Sequence, residues 1–207
     1  MVQYVFKIIL LGRSFSGKSS ILQSLLCYKN NTFEKYNKRY ISTIGIDYGT
    51  YYYSKNNNKI KLSIWDTAGQ DRFFSIVKSY YNSITAAILV YDITDRKSFY
   101  DIKKWYDSVI SYSSNNEVIF MLIGNKKDLE HKRVVTYNEG LDMAQKHNWL
   151  FYEICAETDS YVIFELLGNH ICDKIKDNKL IPADNNNIKL IEYEELKMLT
   201  INKKKCC

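Results

Sequence analysis

Short apolar runs rich in β-branched residues alternate along this chain with longer stretches whose apolar positions recur at helical spacing. The runs at 6–11, 61–65, 87–91, 118–124 and 150–155 predict strands, and the stretches at 18–28, 71–82, 98–112, 137–147 and 162–176 predict helices. Such a βα order predicts a doubly wound parallel sheet with ligand chemistry at the carboxyl ends of its strands. One more strand, at 48–53, is joined to a strand at 59–65 through a polar, asparagine-rich turn at 54–58, and this pair predicts an antiparallel edge. The expected fold class is α/β, a six-stranded, mostly parallel sheet with one antiparallel edge strand and about five helices.

Past residue 177 the pattern fades. Pro182 and the asparagines at 185–187 precede an amphipathic stretch, 188–199, that has no core to join. A domain at 1–177 and a flexible tail at 178–207 are expected.

Composition narrows the class. At 207 residues, 46% hydrophobic and 25% charged, the chain supports one globular core and excludes collagen, disorder throughout and a disulfide mini-protein. No apolar run approaches the roughly 20 residues of a membrane-spanning helix. Residues 1–11 carry Lys7 inside an apolar stretch and reach a glycine turn without a small-residue cleavage site, so a strand is expected rather than a signal peptide. Val2 excludes N-myristoylation. Cys27, Cys155 and Cys172 are isolated and Cys206 and Cys207 terminal, without metal-ligand spacing, which suits a reducing, cytoplasmic compartment. The formal charge of +6 is diffuse apart from the lysines at 203–205, and no groove-reading motif accompanies it, so no nucleic-acid partner is expected.

The candidate chemistry starts at 12–19, which reads GRSFSGKS and satisfies GxxxxGK[ST] directly after a predicted strand and at the start of a predicted helix. A polyphosphate needs backbone N–H groups wrapped around it, glycines at strained positions, a helix N-terminus and one lysine. Ser14, Phe15, Ser16, Gly17 and Ser20 are the expected wrapping residues, Lys18 reaches the outer phosphates, and the Ser19 hydroxyl is placed on Mg²⁺. This makes the fold P-loop NTPase-type. Asp66 follows the run 62–65, where a carboxylate orients the metal's water shell. It opens DTAGQ at 66–70, in which Gly69 can turn its amide toward a γ-phosphate and Gln70 can orient an attacking water. Base choice is expected at 125–128, NKKD. Asp128 can accept two hydrogen bonds from guanine N1 and N2, which adenine does not offer. Asn125 is placed to bridge loops and approach N7, with the Lys126 stem along the base plane.

In this order and spacing the four elements resemble the Ras-like small GTPases, over roughly residues 4–176. The flanks STIGIDY at 42–48, KLSIWDTAGQDRF at 61–73, SYYNSITAAILVYDIT at 79–94 and the final Cys-Cys resemble the Rab branch. The resemblance implies a GTP-hydrolysing switch in vesicle traffic, with GTP/GDP and Mg²⁺ as cofactors. Thr43 would be the switch threonine that joins Mg²⁺ and senses the γ-phosphate, Tyr40 would cover the phosphates, and Tyr36 would pack on the guanine. Trp65, Phe73 and Ile46 would form the apolar surface that effectors read, although for Trp65 and Phe73 plain core packing is an open alternative. Cys206 and Cys207, behind the lysines, resemble a doubly prenylated terminus that anchors the protein to the cytoplasmic face of endomembranes. Implied partners are an exchange factor, a GTPase-activating protein, a GDP-dissociation inhibitor or escort protein, and effectors, around a monomer.

The chain departs from the family pattern at three places. The base-supporting Ser-Ala-Lys is Cys155-Ala156-Glu157 here, which keeps the alanine whose amide approaches guanine O6 but exchanges a lysine for an acid. Arg13 stands where the family has an acid or a small residue, and Phe15 where it has a small one. Arg13 and Phe15, crowding the phosphate loop, motivate a second reading, a guanine-nucleotide-binding scaffold with little intrinsic hydrolysis. A third is a P-loop kinase or ATPase that uses adenine and gives Asp128 no role.

Overall fold

The computed structural model describes residues 4–29, 45–55, 58–69, 77–115 and 117–177. Six strands, β1 (Tyr4–Leu11), β2 (Ile46–Lys55), β3 (Asn58–Thr67), β4 (Ala86–Asp92), β5 (Ile119–Asn125) and β6 (Leu150–Ile154), form one sheet in the order β2-β3-β1-β4-β5-β6. Only the β2–β3 pairing is antiparallel. Among the described residues the helices are α1 (Lys18–Lys29), α2 (Arg96–Tyr100), α3 (Ile102–Tyr112), α4 (Tyr137–His147) and α5 (Ala156–Lys176).

Strand periodicity of two explains how the sheet is buried. Phe6, Ile8 and Leu10 of β1, with Ile88 and Val90 of β4, face a core closed by Leu22 and Leu25 of α1 and Phe164 and Leu167 of α5. Ile9 and Leu11, with Ala87, Leu89 and Tyr91, face the opposite core under Phe99, Ile102 and Trp105 of α2 and α3 and Ala144 of α4. Because helices cover both faces, β4 and β5 are buried along their whole lengths and read as unbroken apolar runs.

The α/β fold and its antiparallel edge are as expected; several element bounds are not. The β2–β3 ladder continues to Lys55↔Asn58, into the segment expected to be turn, because a backbone ladder at a sheet edge does not require apolar side chains. The helix expected at 98–112 is divided at Asp101 and begins earlier, because Asp95 caps α2 by accepting the Lys97 N–H. Helix α5 begins at Ala156 rather than 162, and a 3₁₀ helix at Lys127–Lys132 had no counterpart in the hydrophobic pattern. Of the helix expected at 71–82, residues 71–76 lie outside the described residues and only 77–78 of the remainder are helical, 79–82 being turn and loop; the whole segment 178–207 also lies outside the described residues.

Candidate functional site

The loop at 12–17 leaves the carboxyl end of β1 and enters α1 at Lys18. No acidic side chain occupies the first turn of α1, so its positive end stays available to an anion. Two glycines are needed for close approach. Gly17 has φ +98, and a Cβ there would lie 2.0 Å from Asn125 Nδ2. A Cβ on Gly69 would lie 2.5 Å from Gly12 O, the Arg13 carbonyl carbon and Ser14 N. Phe15 also has a positive φ, 67°, yet its side chain is 69% exposed.

Lys18 is buried beneath this loop, its Nζ donating to the carbonyls of Gly12 (3.0 Å) and Arg13 (3.0 Å). Burial pulls its ammonium down to about 8, and the negative charge of Asp66 opposes that shift. Ser19 Oγ donates to Asp66 Oδ2 at 2.5 Å, bringing a hydroxyl from the first turn of α1 to a carboxylate near the end of β3. An oxygen pair of this kind fits a hard divalent cation such as Mg²⁺. The Ser14 N–H donates to the Gly69 carbonyl (3.0 Å), and the Ala68 N–H to the Gly45 carbonyl (3.0 Å), so the segment leaving β3 lies against both the phosphate loop and the start of β2. The expected role of Gly69 used its amide; here its carbonyl holds the loop.

Asn125, almost fully buried at the end of β5, joins three segments. Its Nδ2 donates to the Ser16 carbonyl (2.9 Å), and its Oδ1 accepts the Ala156 N–H (3.1 Å). The amide expected to approach guanine O6 is therefore engaged with the base loop in this structure. Lys126 adopts a left-handed conformation (φ 67°, ψ 36°), and its ammonium pairs with the buried Asp92 at 2.6 Å, which anchors the head of the side chain. Asp92 is further held by the Thr94 N–H and hydroxyl. It was not among the expected residues, although its place in YDIT at the end of a strand was a signal.

Asp128 is exposed in the 3₁₀ helix, and the Cys155 thiol faces it. Burial pushes that thiol up, the Glu157 backbone N–H works against the shift, and the Asp128 carboxylate adds to it. Cys155 is the N-cap of α5, its N–H donating to Asp159 Oδ2 (3.0 Å). Glu157 lies in the first turn of α5, where the helix dipole favours an acid, and this gives a local reason for the acid in place of lysine. Ser24 of α1 donates to the Glu157 carbonyl (3.1 Å), fixing this corner to the phosphate-loop helix.

Ser14 to Ser20, Asp66, Gly69, Asn125, Lys126, Asp128 and the 155–157 segment thus gather at the carboxyl ends of β1, β3, β5 and β6. Tyr36, Tyr40, Thr43, Gln70, Phe73, Cys206 and Cys207 lie outside the described residues. Of the expected effector surface, Trp65 is half-buried against the second core, edge-on to Tyr48 (5.1 Å) and tilted on Tyr80 (5.3 Å), while Ile46 is half-buried at the start of β2.

The Ras family profile matches residues 7–173. The chain is 42% identical over 156 residues to the Ras-related protein RABC1 of Arabidopsis thaliana, covering 75% of this chain and 70% of that protein. It is 40% identical over 183 residues to the Ras-related protein SEC4 of Saccharomyces cerevisiae, covering 87% and 81%. It is 41% identical over 175 residues to the Ras-related protein Rab-1 of Theileria parva, covering 83% and 76%.

Proposed function

The chain belongs to the Ras family as a Rab-type small GTPase, and from that premise we propose that residues 12–20, 66–70, 125–128 and 155–157, with Tyr36, Tyr40 and Thr43, form its guanine-nucleotide site and serve a switch in membrane traffic. The observation that carries this reading is the Asn125 bridge, in which one buried side chain ties the phosphate loop to the segment expected to support the base.

The chain's own residues supply the steps. Lys18, held by the Gly12 and Arg13 carbonyls, has a third donor to offer the outer phosphates of the nucleotide. Ser19, with Thr43, would ligate Mg²⁺, and Asp66 would order its water shell, the ion supplying positive charge to offset what grows on the phosphate oxygens. Gln70 orients the attacking water. The Ser14–Gly69 bond ties the phosphate loop to the segment that carries the Gly69 N–H, the group assigned to a γ-phosphate. Asp128 accepts from the guanine edge.

Regulators are part of the same reading. An activating protein supplies transition-state charge, an exchange factor opens the site, and effectors read the face that includes Trp65. Prenylation of Cys206 and Cys207, assisted by the lysines at 203–205, anchors the protein on endomembranes, and a dissociation inhibitor or escort protein extracts it. The scaffold reading is not favoured, since the family is one of GTPases.

Single-turnover hydrolysis tests the assignment of Gln70. Protein preloaded with GTP is expected to hydrolyse it unaided at about 10⁻⁴ to 10⁻³ per second, and Gln70→Leu at least about ten-fold more slowly. An unchanged rate in the variant would remove Gln70 from the mechanism. No hydrolysis by the wild-type protein would restore the scaffold.

A further inference from the structure

Arg13 is the residue by which this phosphate loop departs most in charge from its family pattern, and its partners lie far away in sequence. Its Nη1 donates to Asp101 Oδ2 at 3.4 Å, and its Nε lies 4.0 Å from Asp95 Oδ2. Asp95 is the N-cap of α2 and Asp101 the residue between α2 and α3, so the guanidinium spans both ends of one short helix. The Arg13 and Asp101 side chains are about one-third exposed and that of Asp95 42%, so the Arg13–Asp101 pair is partly shielded from water.

The backbone of Arg13 is engaged as fully as its side chain. Its carbonyl accepts from Lys18 Nζ (3.0 Å) and from the Ser16 N–H (3.3 Å), and its carbonyl carbon is one of the atoms that Gly69 packs against. The residue that receives the phosphate lysine is thus fastened at its far end to α2 and α3.

We propose that Arg13 is a positioning residue of the nucleotide site: its ion pairs with Asp101 and Asp95 hold the loop carbonyls that aim Lys18, and so set how long the diphosphate stays bound. The proposal rests on the nucleotide site described above. The guanidinium is directed to these two carboxylates, so its action on the phosphates runs through the loop backbone. An acid at position 13 would face two carboxylates instead, which would push the loop away from the helix.

The test is release of fluorescently labelled GDP from the full chain, in wild type and in Arg13→Ala, Asp101→Asn, the double variant and Arg13→Lys. Arg13→Ala and Asp101→Asn are each expected to release GDP about two- to five-fold faster, the range that a partly exposed ion pair supports. The double variant should be no faster than Arg13→Ala, Arg13→Lys should recover part of the difference, and the preference for GDP over IDP should not change because the base loop is not involved. Release by Arg13→Ala at the wild-type rate would overturn the proposal, as would additive effects in the double variant. Loss of base preference together with faster release would mean general loosening and would overturn it too. Wild-type protein that binds no guanine nucleotide at all would bring down the site reading first, and this is seen before any variant is made.

Discussion

Lys18 sits where burial and charge oppose each other, and the sign of its pH dependence follows. Its pKa falls to about 8 in the fold against 10.5 for the free side chain, so between these values the unfolded chain binds the extra proton. This group's contribution to stability therefore rises with pH across that window and is least below pH 8. A polyphosphate beside the ammonium favours its charged form, so binding above pH 8 takes up a proton. The affinity for GDP should weaken between pH 8 and 9, by up to about ten-fold per unit, while Lys18→Arg shows no such slope; equal slopes in a binding titration would contradict this. Phe15 makes a different point. A bulky residue at φ 67° bears a steric cost, and its ring, 69% exposed, recovers little of that through packing. Phe15→Gly should raise stability by about 0.5–1 kcal/mol, after the entropy that glycine loses on folding, and a lower Tm for the variant would show that the ring packs on something it needs. The motif GxxxxGK[ST] made the loop legible, because its residues are adjacent in sequence. The Arg13–Asp101 pair was not, because charge complementarity across 88 positions leaves no local pattern.

Elements were legible to the extent that burial imposed a period. β4 and β5, apolar on both faces, and α4, closed by the capping box of Thr136 and Glu139, stand close to where the pattern put them. The 3₁₀ helix at Lys127–Lys132 was invisible because none of its residues is buried. It is held instead by Arg133, which follows it and bonds to Glu130 Oε1 and Oε2 (2.8 and 2.6 Å), to both carboxylate oxygens of Glu153 on β6 (2.8 and 2.7 Å), and to the Val135 carbonyl (2.9 Å). Hydrogen bonds from Glu153 and then Glu130 raise the Arg133 pKa, so the charge persists at any working pH. Glu153 is 4% exposed at its side chain, and Arg133→Ala would leave that carboxylate buried without its counter-charge, with the Tyr91 hydroxyl beside it. A loss of about 3 kcal/mol is expected in chemical denaturation. A loss below about 1 kcal/mol would mean that Glu153 finds water or another partner. The early start of α5 escaped the pattern for a related reason, since its first turn is specified by Asp159 bonding back to Cys155 and by acids at a helix N-terminus rather than by apolar spacing.

At the scale of the whole molecule, a sheet covered on both faces leaves the carboxyl ends of its strands as the place where loops from distant parts of the chain meet. The phosphate loop, the 125–128 loop and the 155–157 segment meet there through Asn125, and Asp128 stands exposed at the edge. If this assembly reads guanine, selectivity depends on Asp128, because an asparagine there replaces one acceptor oxygen by a donor that cannot take the second hydrogen bond from the base. The most direct measurement is to denature the purified protein, identify the released nucleotide by chromatography, and repeat this with Asp128→Asn. GDP or GTP is expected from the wild-type protein, with guanine selectivity lost in the variant. An adenine nucleotide from the wild type, or guanine selectivity that survives in Asp128→Asn, would contradict the site.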